Sequence, residues 1–145
     1  MRRTNVFRPE FDHASERDGY RWRGAKAGKA IEGSQIGASV YELPEGERTY
    51  PYHFHNAMEE WLVVLDGTPT LRDPDGERVL RRGDVVCFPT GPAGAHQVRG
   101  PGTVMILSAN RSLEVNEYPD SGKIAARPGG GVFRKSDAVD YWEGE

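Results

Sequence analysis

An all-β fold of antiparallel strands is predicted by three features of the sequence. Short apolar runs recur at intervals of about ten residues. Glycine (18) and proline (10) punctuate them, and no segment sustains a helical period for long. Strands of that length and spacing form a sandwich or barrel of antiparallel sheets. The chain has 145 residues, the size of one domain. A chain of that size buries roughly 68–70% of its unfolded surface, enough for a core without staples.

The elements follow in order. Residues 1–34 form an amino-terminal segment in which arginines interleave with Glu10, Asp12, Glu16 and Asp18, the pattern of a solvated face packing partly on the rest. Helix candidates are confined to short pieces near either end. I-G-A-S-V-Y-E-L (36–43) reads as a strand ended by P-E-G, P-Y-H-F-H (51–55) as a second, and E-W-L-V-V-L (60–65) as a third. Asp66-Gly67 stops the third because Gly tolerates the positive φ of a tight turn. T-P-T-L-R (68–72) and E-R-V-L-R (77–81) flank a P-D-G turn, and R-R-G-D leads into V-V-C-F-P (85–89). After the G-P-A-G loop, A-H-Q-V-R (95–99) and T-V-M-I-L-S-A (103–109) complete the set.

In the third strand Trp61, Val63 and Leu65 share one face, and Glu60, Leu62 and Val64 the other. Both faces are mostly apolar. One supplies the core, so the other needs a cover from the amino-terminal strands or from a second subunit, and a homodimer is expected. At the other end, Pro128-Gly129-Gly130-Gly131 reads as a flexible link. Beyond it Phe133, Tyr141 and Trp142 are too apolar for a disordered tail, and residues 111–145 are expected to dock on the barrel or a neighbouring subunit.

Charge and cysteine usage exclude several classes. Lys and Arg (19) are outnumbered by Asp and Glu (22), for a net charge of −3, which argues against a nucleic-acid partner. Cys87 is the single cysteine, so no internal disulfide exists, and its apolar surroundings predict a buried, inert thiol. No stretch is apolar enough for a signal peptide or a membrane span. A cytoplasmic protein is expected.

The chemistry concentrates in H-F-H-N-A-M-E-E-W (53–61). Residues two apart on a strand share a face, so His53 and His55 project together and can bind one metal ion. A carboxylate from Glu59 or Glu60 opens the next strand, and His96 follows the G-P-A-G loop. Three histidines and a carboxylate suit one divalent ion of Zn, Fe, Mn, Co or Ni. Tyr41, Tyr52, Gln35, Trp61 and Met105 stand near these motifs as possible pocket residues. No residue presents itself as a separate nucleophile or general base, because Ser39 and Ser108 carry no local signature.

Across 43–109 the sequence resembles the cupins, small double-stranded β-helix barrels of jelly-roll type. The first cupin motif reads here as G-E-R-T-Y-P-Y-H-F-H-N-A-M-E-E-W-L-V-V-L-D-G (46–67), and the second as G-D-V-V-C-F-P-T-G-P-A-G-A-H (83–96). By this resemblance residues 35–110 form the barrel, and His53, His55, Glu60 and His96 are the metal ligands. The family spacing selects Glu60 over Glu59, since six residues then lead to Gly67; Glu59 is left as a neighbour or outer partner. Two departures stand out. Six residues rather than five separate Gly46 from His53, and the interval from Gly91 to His96 is two longer than usual, with no Asn after it.

The resemblance implies a metal-dependent enzyme acting on a small molecule, with dioxygenase chemistry first and isomerase, lyase or hydrolase chemistry beside it. A non-catalytic binding or sensing barrel, with a structural metal or none, is the competing reading.

Overall fold

Thirteen strands, all paired antiparallel, carry the chain from His13 to Arg134. They are β1 (His13–Arg17), β2 (Tyr20–Ala25), β3 (Ile36–Leu43), β4 (Phe54–His55), β5 (Glu60–Gly67), β6 (Thr70–Asp73) and β7 (Gly76–Val79), then β8 (Val85–Phe88), β9 (Gln97–Arg99), β10 (Gly102–Ala109), β11 (Glu114–Tyr118), β12 (Lys123–Arg127) and β13 (Gly131–Arg134). One helical turn, α1 (Ala27–Ala30), and 3-10 turns at Pro92–Gly94 and Lys135–Asp137 complete the elements. The computed structural model describes residues 1–145. No helix is long and apolar enough to cross a membrane.

The strands form two layers of a jelly-roll. A six-stranded sheet runs β1-β2-β3-β10-β5-β8. Facing it are a four-stranded sheet, β13-β12-β11-β4, and a three-stranded one, β7-β6-β9. An isolated backbone bridge between His53 and His96 joins the two smaller sheets into one layer.

Register explains where the core sits. On β10, Ser108 lies opposite Gly37 and Glu60, Ile106 opposite Ser39 and Leu62, and Val104 opposite Tyr41 and Val64. The inner face therefore grades from polar groups at one end to aliphatic ones deeper in. Leu62, Val64, Val104 and Ile106 meet Leu71 and Val98 of the opposite layer in the main core. Gly67 closes β5 at φ +80°, where an added Cβ would meet Gly102 Cα at 2.6 Å, so both conformation and space demand glycine there.

The outer face of β5 receives the cover it needs from the amino terminus. Val6, Phe11 and Ala25 pack with Val40, Val63, Leu65 and Met105. That cover stops short of Trp61, which is 48% exposed, and of Val85. Cys87 lies beside Trp61 in register and is exposed rather than buried. The run V-V-C-F reads as buried on both faces, but β8 is an edge strand with only Val86 and Phe88 turned inward. Partial burial and then nearby Glu59 push its thiol pKa up, which keeps it a poor nucleophile.

The glycine run after Pro128 forms a tight turn, not a flexible link, and returns the chain as β13 on the edge of β12. The tail thus docks on its own barrel by strand pairing over Gly131–Arg134. Beyond it, Tyr141 and Trp142 stack edge to face on each other and stay 83% and 73% exposed.

Leu62 is fully enclosed, so Leu62→Ala should cost about 2–5 kcal/mol in urea unfolding. Val85→Ala, at an exposed edge position, should stay within about 0.5 kcal/mol of the parent. Equal costs would contradict this division of faces.

Candidate metal centre

Strand alternation sorts the first motif. Tyr52 and Phe54 pack with Ala95 in a small cluster of their own, while His53 and His55 between and beyond them line a cavity on the opposite side. The second motif reaches this strand through backbone bonds. Gly91 N–H donates to the His55 carbonyl at 2.7 Å, and His53 and His96 exchange N–H···O bonds of 3.2 and 2.9 Å. The longer interval before His96 is taken up by the 3-10 turn Pro92–Gly94. Gly94 is required in it, because a Cβ there would collide with the Pro89 carbonyl oxygen.

Each ring is held differently. His53 Nδ1 bonds the Pro51 carbonyl and His96 Nδ1 the Gly94 carbonyl, both at 2.8 Å. A carbonyl only accepts, so both Nδ1 atoms carry the proton and both Nε2 atoms keep a free lone pair. Phe88 stacks flat on His96 with centroids 3.8 Å apart, which fixes that ring further. His55 is buried, yet neither of its ring nitrogens has a hydrogen-bond partner. Its Nε2 lies 3.3 Å from Glu60 Oε2, and His96 Nε2 lies 3.4 Å from the same oxygen. One donor atom from each of His53, His55, Glu60 and His96 falls within 4.8 Å of the others.

The electrostatics favour metal-binding forms. Burial, helped by the neighbouring His96 and His55, lowers the His53 pKa to about 3, so the ring is neutral at ordinary pH. Burial opposes ionisation of Glu60, but the contacts with His55 and His96 outweigh it and hold the carboxyl below the usual carboxylate range. Neutral imidazole and ionised carboxylate are the species that ligate metal. A buried imidazole with two idle nitrogens is costly by itself; a divalent ion would satisfy Nε2, on the Glu60 side, and leave the Nδ1–H directed towards Glu114. These residues fit a metal.

β11 contributes groups that sequence reasoning missed. Its alternation turns Glu114, Asn116 and Tyr118 to one face, with Asn116 paired to His55 in register. Glu114 is buried, and its Oε1 accepts the N–H groups of Asn56 at 2.9 Å and Ala57 at 3.3 Å. It thereby pins the loop that separates His55 from Glu60, and it lies 3.8 Å from His55 Nδ1. Tyr118 stacks on His53 at 5.8 Å. The period-two pattern E-V-N-E-Y (114–118) was the available signal, but nothing local ties it to a motif almost sixty residues earlier.

The cluster lines a cavity of about 230 Å³ whose wall also includes Ser39, Ser108, Tyr41, Tyr50, Tyr118 and Arg127. The Tyr41 and Tyr50 hydroxyls hydrogen-bond at 2.9 Å. Burial, reinforced by Tyr41, pushes the Tyr50 pKa up, so this phenol stays protonated at neutral pH.

Ser39 and Ser108, which carry no signature in sequence, are in the cavity; of the pocket residues proposed from sequence, Tyr41 is there too and the rest lie elsewhere. Glu59 is exposed and accepts the Trp61 indole N–H at 2.7 Å on the outer face, so it is not beside the histidine cluster. Tyr52 packs under the Arg72 guanidinium. Met105 belongs to the amino-terminal cover. Gln35 is exposed before β3, its carbonyl accepting from Asn110 N–H.

Comparison with known proteins agrees with this architecture. Residues 39–110 match the family model of the Cupin domain, and the chain carries a small cupin domain. No curated protein matches the sequence. Among solved structures, a candidate sugar phosphate isomerase from Acidithiobacillus ferrooxidans is similar, with a TM-score of 0.79 and 23% identity over 91% of this chain and 88% of that one. A sugar phosphate isomerase from a cupin superfamily of Silicibacter pomeroyi gives 0.79 and 24% over 92% and 93%. A polyketide cyclase from Streptomyces resistomycificus gives 0.57 and 22% over 75% and 78%. At these identities the likeness is one of fold.

Replacing His55 with Ala should strip most bound metal, by elemental analysis, while the circular dichroism spectrum of the barrel persists. Glu60→Gln should weaken metal binding more than Glu59→Gln. Glu114→Gln should weaken it about 10–100-fold; a wild-type metal affinity in that variant would show that Glu114 serves the loop alone.

The metal-free protein should also lose stability with acid. The unfolded His53 protonates near 6.5 but the folded ring only near 3, and folded Glu60 also binds its proton less readily than unfolded. The unfolded state thus takes up more protons, so stability present above about pH 6.5 declines towards pH 3. A urea midpoint that stays constant through this range would contradict the assignment of a neutral buried His53.

Proposed function

We propose that this cupin domain binds one divalent metal ion through His53, His55, Glu60 and His96 and acts as an enzyme on a small, oxygen-rich molecule in the cavity beside them. The observation that carries the reading is His55, a buried ring with two unpartnered nitrogens set against the donor atoms of its neighbours on the wall of a cavity. A site that lines a cavity keeps a face for a substrate, whereas a structural ion is closed off by protein groups. When bound, the ion supplies polarisation of a substrate oxygen.

The chain's own groups suit such a molecule. The Tyr50 and Tyr41 hydroxyls bond to each other, which uses one of their two hydrogens and leaves one to donate to a substrate oxygen. Ser39 and Ser108 stand on the same inner face as Glu60. Glu60 is the one carboxylate on the cavity wall, so no second carboxylate is placed as a general base. Neutral hydroxyls do not take a proton from carbon, so the isomerisation these groups fit is a hydride shift between adjacent substrate carbons, with the alcohol proton relayed to the neighbouring oxygen; isomerase is the class named for two of the structures that share the fold. Oxygenase chemistry is the second reading, favoured by the donor set itself, since three imidazoles and a carboxylate also hold ferrous iron.

Metal content of protein purified without added metal or a polyhistidine tag tests both. Manganese, zinc, nickel or cobalt, with aldose–ketose interconversion of a small sugar phosphate, is the expected result. Iron with substrate-dependent oxygen uptake would move the assignment to the second reading, and protein with no affinity for any of these ions would overturn both.

A further inference from the structure

We propose that the cavity contains an anion subsite at Arg127, so that the molecule it takes is a small hydroxylated anion, a hydroxy acid or a sugar phosphate. The proposal deepens the functional reading above and rests on it for the placing of the ligand's other end.

Arg127 closes β12 and stands opposite Glu114 in the antiparallel register. Directly opposite residues share a face, and Arg127 lines the same cavity as the histidines. Its guanidinium has no internal partner. Five other strand arginines are paired: Arg21 with Glu47, Arg23 with Glu42, Arg72 with Asp120, Arg78 with Asp73 and Arg99 with Glu77; Arg17 and Arg134 are not, but neither lines the cavity. None of the ion pairs includes Arg127. Glu114, the acid that faces it across the ladder, is instead taken up by the Asn56 and Ala57 amides.

Glu60, the one acid of the cavity wall, lies against His55 and His96. A free guanidinium in a partly enclosed cleft is therefore the wall's uncommitted positive charge, with a fork of donors matched to carboxylate or phosphate. The same wall carries the hydroxyls of Tyr41, Tyr50, Ser39 and Ser108. These are donors and acceptors for alcohol groups. The volume of about 230 Å³ holds roughly eight water-sized groups, which limits the ligand to a short chain.

The test measures binding of glycerol 3-phosphate, glycerate and glycerol by isothermal titration calorimetry. The proteins are the wild type, Arg127→Gln and Arg127→Lys, each with and without bound metal. At least one anion should bind the wild type about tenfold or more tighter than glycerol. That preference should vanish in Arg127→Gln and survive in part in Arg127→Lys, with metal content unchanged in all three. Which anion is preferred separates a phosphate subsite from a carboxylate one. No anion preference in the wild type, or a full preference retained in Arg127→Gln, overturns the proposal, the latter because the anion then sits on the metal alone. An Arg127-dependent preference in protein that binds no metal would leave the subsite standing and sink the metal-dependent function instead.

Discussion

Two backbone hydrogen bonds between His53 and His96 organise this protein. Without that bridge the three-stranded sheet built on β6 and the four-stranded sheet built on β11 would be separate edges, each facing the six-stranded sheet alone. With it they form one layer, and the two residues that make the join are both candidate ligands. Because the bridge acts through main-chain groups, the side chains are free to face the cavity. The third contact, from Gly91 N–H to the His55 carbonyl, ties the loop before His96 to the same strand. Fold closure and ligand convergence are therefore one event.

The inner face of the six-stranded sheet shows how one jelly-roll holds both a core and a polar cavity. Its rows pass from Glu60, Ser108 and Ser39 to Leu62, Ile106, Val64 and Val104 within two rungs of the ladder. The aliphatic rungs bury apolar area, the main favourable term in folding. The polar rungs cost desolvation, limited by fixing each ring through a carbonyl or a stacked aromatic and by leaving the remaining nitrogens facing one another. Only His55 is left wholly unpartnered, and it is the residue most dependent on what the cavity binds.

Much of the fold was legible because strands and turns leave period-two and glycine signatures. The strand over Ile36–Leu43 and the pair His53 and His55 are local facts of spacing, and the cupin spacing separated Glu60 from Glu59. Cys87 was misread for a related reason. Alternation says which residues share a face, but an edge strand whose outer face has no cover looks the same in sequence as a fully enclosed one. Tyr52 and Met105 were near the ligands in sequence yet belong to other faces. Glu114, Asn116 and Tyr118 belong to the site, though they lie beyond the matched motifs.

By itself, then, the sequence determined the all-β class, the turns, and a candidate ligand set, because each depends on residue types at short separations. Tertiary structure alone decided what surrounds that set. Glu114 pins the ligand loop from 58 positions away, Tyr118 stacks on His53, and Arg127 reaches the cavity through a ladder laid down after the motifs end. These contacts arise from the order in which strands pair, and pairing order is a property of the whole chain competing for the same core. No short stretch of sequence encodes it.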